Sequence, residues 1–200
     1  KDYVESYLEK EEDRLDSPMS ASSGYLAFAE AITSGKGEVK NIFPAGNFEG
    51  LPAGREWPDK NLNAYRVGEG AVMEIVHEGA AHGEGALHVV LPAASRAITF
   101  GEQVRTHGER AYKLSLLYRT AGVPEDDEKP GVLYIRVKYT VGKERAVSNR
   151  AGDVTAGLKG WTRLTHVFTI PEGVARFGWQ ILVGCPGEYW FDDVELLQVK

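Results

Sequence analysis

The 200-residue chain carries a formal net charge of -6, with 42% hydrophobic residues, 23 glycines and 9 prolines. Its length allows one sizeable core and a short appendage, and its composition argues against both a disordered chain and a long helical bundle. The acidic balance excludes an overall pull toward nucleic acid or anionic membrane, so any basic site must be local.

Cys185 is the single cysteine, which rules out an internal disulfide and a cysteine-based zinc site. No apolar run has the length of a membrane span, and Lys1 opens into an acidic segment without a secretory signal. The first residue is not Met, as in a processed chain. Residues 1–38 read as a helical extension or linker. Val4, Leu8 and Leu15 form a sparse apolar stripe that Asp16-Ser17-Pro18 ends, and an Ala-rich piece from Ala21 to Thr33 runs into Ser34-Gly35-Lys36-Gly37. This segment reads either as a partner-binding helix or as the tail of an upstream region packed on the rest of the chain.

From Val39 onward the texture is β. Runs rich in branched and aromatic residues recur at Asn41–Phe48, Val72–His77, Ala86–Leu91, Ala97–Val104, Tyr112–Thr120, Val132–Val141, Trp161–Ile170, Arg176–Gly184 and Tyr189–Val199. Turn-forming residues fill the gaps, and Gly142–Gly160 reads as a loop or an irregular strand. Strands without intervening helices predict an all-β fold over residues 39–200, a two-sheet antiparallel β-sandwich of jelly-roll type.

Alternation assigns the faces. Tyr112, Leu114, Leu116 and Tyr118 form one apolar set, opposite Lys113, Ser115, Leu117 and Arg119. Leu133, Ile135, Val137 and Tyr139 oppose Tyr134, Arg136 and Lys138, while Phe177, Trp179, Ile181 and Val183 oppose Gln180 and Leu182. If these strands are neighbours in one sheet, its outer face carries Lys113, Arg119, Tyr134, Arg136, Lys138 and Gln180. The last run, Tyr189-Trp190-Phe191-Asp192-Asp193-Val194, sets two carboxylates among aromatics, which calls for a counter-charge, hydrogen-bond donors or a metal.

Asn47-Phe48-Glu49-Gly50, Trp57, Glu84-Gly85-Ala86-Leu87-His88-Val89, Tyr112-Lys113-Leu114-Ser115, Gly160-Trp161, Phe168-Thr169-Ile170-Pro171 and Phe191-Asp192-Asp193-Val194-Glu195-Leu196 succeed one another along the chain. In that order they resemble the carbohydrate-binding modules with a galactose-binding-like jelly roll, the cellulose-, xylan- and β-glucan-binding type appended to glycoside hydrolases. The resemblance covers about residues 41–199. It implies a structural calcium held by Glu49, by carbonyls around Gly83, Glu84 and Gly85, and by Asp193 with Asp192 as the alternative; such oxygens suit a hard cation. The other reading leaves Asp192 exposed and has Asp193 capping backbone amides or pairing with a basic side chain.

Sugar binding needs flat aromatic surfaces flanked by placed polar groups. Tyr134 ranks above Trp57, Trp161, Trp179 and Trp190 here, because sandwich tryptophans are mostly core. Arg119, Arg136, Lys138 and Gln180 complete the expected ligand set. The cations suit an acidic glycan, against the alternative of a solvated strand face. The face lacks the row of exposed aromatics of typical cellulose and xylan binders. No HExxH, nucleophile elbow, P-loop or dinucleotide fingerprint occurs, and Glu125-Asp126-Asp127-Glu128 between two prolines reads as a solvated loop rather than a glycosidase dyad.

The expectation is therefore a non-catalytic polysaccharide-binding module, stabilised by calcium and acting outside the cell or in the periplasm. Its partner is a poly- or oligosaccharide, together with a catalytic domain in the same polypeptide, and it contacts neither nucleic acid nor membrane. The alternative is an assembly module of the same fold that binds no sugar.

Overall fold

A computed structural model describes residues 39–55, 63–67, 70–93, 97–107, 110–124, 133–152 and 160–199. The expected helical extension at residues 1–38, Trp57 and the acidic stretch 125–128 lie outside these residues. Among the described residues, eleven strands form two sheets: β1 (Val39–Asn41), β2 (Asn63–Val67), β3 (Val72–Val76), β4 (Ala86–Leu91), β5 (Ala97–Arg105), β6 (Arg110–Ala121), β7 (Leu133–Val141), β8 (Glu144–Ala151), β9 (Thr162–Ile170), β10 (Arg176–Val183) and β11 (Gly187–Val199).

Sheet A runs β3-β4-β11-β6-β9 with β1 also paired to β11, and sheet B runs β2-β5-β10-β7-β8. Every pairing is antiparallel. The two-sheet sandwich expected from alternation is thus present, and β11 is its organising strand. Along one edge β11 pairs first with β4 (Gly187–Phe191) and then with β1 (Leu197–Val199); along the other it pairs with β6.

The inward sets interlock as the alternation requires. Phe43 meets Trp179 edge-on at 5.0 Å, Phe100 meets Phe191 at 5.4 Å, and Tyr112 and Phe168 lie 4.7 and 5.6 Å from Phe177. Edge-to-face aromatic packing of this kind adds about 0.5–1.5 kcal/mol per pair beyond the area that the rings bury.

Three local differences from the sequence expectation have physical causes. The first strand stops at Asn41 instead of running to Phe48. Asn41 Oδ1 accepts the Phe43 N–H at 2.9 Å, and Pro44–Asn47 forms a 3-10 turn that ends in a left-handed Phe48 at φ 56°. Asn side chains offer the backbone such local acceptors, and Pro44 has no N–H for a ladder. The stretch read as a loop or an irregular strand holds a regular one, β8, which pairs with β7 across the two-residue turn Gly142-Lys143, with Gly142 at φ 61°. Its polar, charged sequence fits an edge strand, which hides it from a search for apolar runs. β2 is a short strand that the same search passes over.

Candidate functional site

The register of sheet B places its outward residues in rows. One row reads Thr99, Leu182, Tyr134, Ala151; the next Gly101, Gln180, Arg136, Asn149; the next Gln103, Gly178, Lys138, Val147. Arg105 pairs with Arg176 at the end of β10, and Arg145 faces Thr140 on β7. Tyr134, Arg136, Lys138 and Gln180 therefore share one face, as expected. Tyr134 and Leu182 are half-buried side by side.

Gly101 and Gly178 put no side chain in the middle of this face, and the Lys138 stem lies across Gly178. A Cβ on Gly101 would stand 2.0 Å from the Trp179 carbonyl oxygen, so glycine is needed for the two backbones to approach. Lys138 Nζ donates to Gln180 Oε1 at 3.2 Å, and Arg136 Nε donates to Asn149 Oδ1 at 2.9 Å. Arg136 is only 5% exposed, so it braces Asn149 from within the face instead of offering the open guanidinium expected of it. Burial, then the charges of Arg145 and Arg136, push the Lys138 amine below its ordinary range. Arg145 and Asn149 are not among the sequence-derived candidates because their strand is not; the Gly142-Lys143 hairpin is the signal that sets Asn149 opposite Arg136.

Arg119 requires a correction. It lies with Lys113 on β6, in sheet A, and so does not share a face with Tyr134. Its guanidinium carbon sits 4.4 Å from the Trp190 ring centre and 5.4 Å from that of Trp161. His88 stacks on Trp190 at 4.7 Å, with Glu188 at 3.1 Å and Glu74 at 3.8 Å from its nitrogens. Trp190 thus carries His88 and Arg119 as partners, and this ladder holds strands together rather than presenting a bare ring to a sugar. Trp179 is fully buried between the sheets, as expected.

The expected calcium ligands gather around the loop before β4, but face the wrong kind of group. Glu49 Oε1 accepts the Glu84 and Gly85 N–H groups, both at 3.0 Å. Asp192 Oδ2 accepts those of Ala81 and His82 at 2.9 and 3.0 Å, and Asp192 Oδ1 accepts that of Asp193 at 2.7 Å. Asp193, at φ 47° in the bulge of β11, pairs with His82 Nδ1. Gly83 sits at φ 61°, a conformation that favours glycine, and a Cβ there would lie 2.3 Å from Glu49 Oε1 and push that carboxylate from its amides. Among the described residues no three His, Cys, Asp or Glu side chains assemble as a metal site. A hard cation needs lone pairs on six to eight oxygens, and those of Glu49 and Asp192 are already taken by two and three N–H groups. Amide capping is instead performed by Asp192, which is fully buried and not exposed.

His77 and His166 are held by contacts within the fold. His77 Nε2 donates to the Leu51 carbonyl at 2.7 Å. His166, in the cleft between β9 and β8, shares a 2.8 Å hydrogen bond with Ser148; burial, aided by the Arg150 charge, lowers its pKa from 6.5 to about 4.

No family model and no curated protein matches this chain in sequence. Solved structures do match its fold. The CBM22-1 xylan-binding domain of Xyn10C from Paenibacillus barcinonensis superposes with a TM-score of 0.51 at 16% identity, over 72% of this chain and 90% of that domain. A family 16 carbohydrate-binding module matches with a TM-score of 0.50 at 16% identity, over 64% of this chain and 86% of the module. The fold is that of carbohydrate-binding modules. The enzymatically active domain of tailspike protein 4 from bacteriophage CBA120 also matches, with a TM-score of 0.55 at 12% identity, but this chain spans only 21% of it.

Proposed function

We propose that this chain is a polysaccharide-binding module of galactose-binding-like jelly-roll type. It carries out no bond chemistry and holds an associated glycan-degrading domain at its polymer outside the cytoplasm. The observation that carries this reading is the outer face of sheet B. Its centre, where Gly101 and Gly178 carry no side chain, lies beside Tyr134 and Leu182, and the Gln180 and Asn149 amides are held in place by Lys138 and Arg136. Such a surface offers an apolar ring for the C–H face of a pyranose and fixed polar groups for its hydroxyls. The Paenibacillus relative in fold is named as xylan-binding, which supports the same class of ligand. Tethering raises the local concentration of a linked domain at the polymer without any new contact in that domain.

Affinity electrophoresis through gels cast with xylan, β-glucan, galactan or a uronate polymer tests the reading. Retention by at least one polymer, lost in Tyr134→Ala with the melting temperature unchanged, is the expected result. Release of reducing ends by this chain alone would overturn the non-catalytic assignment.

A further inference from the structure

The charge of this face points to a narrower ligand. At the outward positions of the described residues of sheet B stand Arg105, Arg136, Lys138, Arg145 and Arg176, and no Asp or Glu. On a protein of formal net charge -6 this is a segregated cationic surface. Its acidic neighbours Glu102 and Glu144 have the opposite parity and face away from it. Arg105, Arg145 and Arg176 are exposed, while Lys138 is half-buried on the floor.

The cations also surround neutral hydrogen-bonding groups. Gln180 and Asn149 are held by Lys138 and Arg136 in the row that begins at Gly101, which carries no side chain. A ligand lying along β10 therefore meets amides suited to hydroxyls in the centre and charge toward the Arg105, Arg176 and Arg145 end. A neutral glycan uses only the first set. A polymer alternating hydroxyls with carboxylates uses both, and the guanidinium fork suits a carboxylate.

We propose that the outer face of sheet B binds a uronate-bearing polysaccharide, with Lys138, Arg145 and Arg176 as the carboxylate-recognising cations. This rests on the carbohydrate-binding reading above and names its substrate class. Lys138, crowded by Arg136 and Arg145 with no carboxylate beside it on the face among the described residues, gains an anionic partner when such a polymer binds.

The test compares retention by polygalacturonate, by the same polymer fully methyl-esterified, by neutral xylan and by dextran sulfate, each at low and high salt. The expected result is retention by polygalacturonate that exceeds retention by the ester and weakens with salt. The double variant Arg145→Gln/Arg176→Gln, whose exposed side chains lie outside the core, should lose affinity about tenfold. Lys138→Gln should lose it while the circular dichroism spectrum and melting temperature stay unchanged. Equal retention by acid and ester, or retention by neutral xylan alone, would overturn the uronate inference and leave the carbohydrate module standing. Stronger retention by dextran sulfate than by polygalacturonate, insensitive to Lys138→Gln, would reduce the face to general charge attraction and overturn it as well. Retention by no polymer would overturn both readings.

Discussion

Acidification should weaken the sandwich through His166. Its ring is buried between the sheets against Ser148, stacks at 5.4 Å on Phe168 and lies under the charge of Arg150, so its neutral form is favoured down to about pH 4. In the unfolded chain it takes up a proton near its ordinary 6.5. Between those two values the unfolded state binds more protons than the native one, so stability is fully present above pH 6.5 and is lost as the pH falls toward 4. At about 1.36 kcal/mol per pH unit, the gap is worth about 3 kcal/mol, or roughly 10 °C in melting temperature for a domain of this size. Asp192 acts in the opposite sense. Burial chiefly raises its pKa above 3.8, so its ionisation costs stability as the pH rises through that window. Melting curves from pH 7.5 to 4 for the parent chain and His166→Gln separate the two, because Asp192 is common to both. The glutamine keeps a polar partner for Ser148 and cannot titrate. It should melt lower at pH 7.5 and show a flatter decline toward pH 4. An undiminished decline in the variant would refute the assignment.

The same packing carries other consequences. Asp192→Ala leaves the Ala81, His82 and Asp193 N–H groups without their acceptor and should cost at least about 2 kcal/mol, read as a lower denaturant midpoint; an unchanged midpoint would show that this loop is held by other contacts. Because the corner around Glu49 and Asp192 is closed by amide donors, neither EDTA nor added millimolar calcium should move the melting temperature; a calcium-dependent rise would restore the metal that the resemblance implies. Gly101→Ala drives a methyl against the Trp179 carbonyl and should cost about 1–3 kcal/mol, with sheet B shifting in the solved variant.

Alternation makes most of this fold legible. The inward sets of β6, β7 and β10 are readable because each strand is half-buried and its period is two, and the sandwich follows from their number. What alternation cannot supply is which strands are neighbours. Arg119 and Tyr134 have the same outward sense, yet β6 lies in one sheet and β7 in the other, and that separates them completely. β8 escapes such a reading because an edge strand can be polar throughout, and Asn149 and Arg145 go with it. The acidic pair of β11 is recognisable as needing partners. That the partners are amides of a loop about 110 residues earlier is a tertiary fact, set by the bulge at Asp193 and by glycines whose neighbours exclude a side chain.

The central claim is that the outer face of sheet B is the glycan-binding surface. Amide chemical-shift mapping during titration with a soluble oligosaccharide from the retaining polymer tests it most directly. The shifts are expected to be confined to β10, β7 and β8, centred on Tyr134, Lys138, Asn149 and Gln180. Shifts centred on Trp190 and Trp161 of the opposite sheet, or none at saturating oligosaccharide, would contradict it.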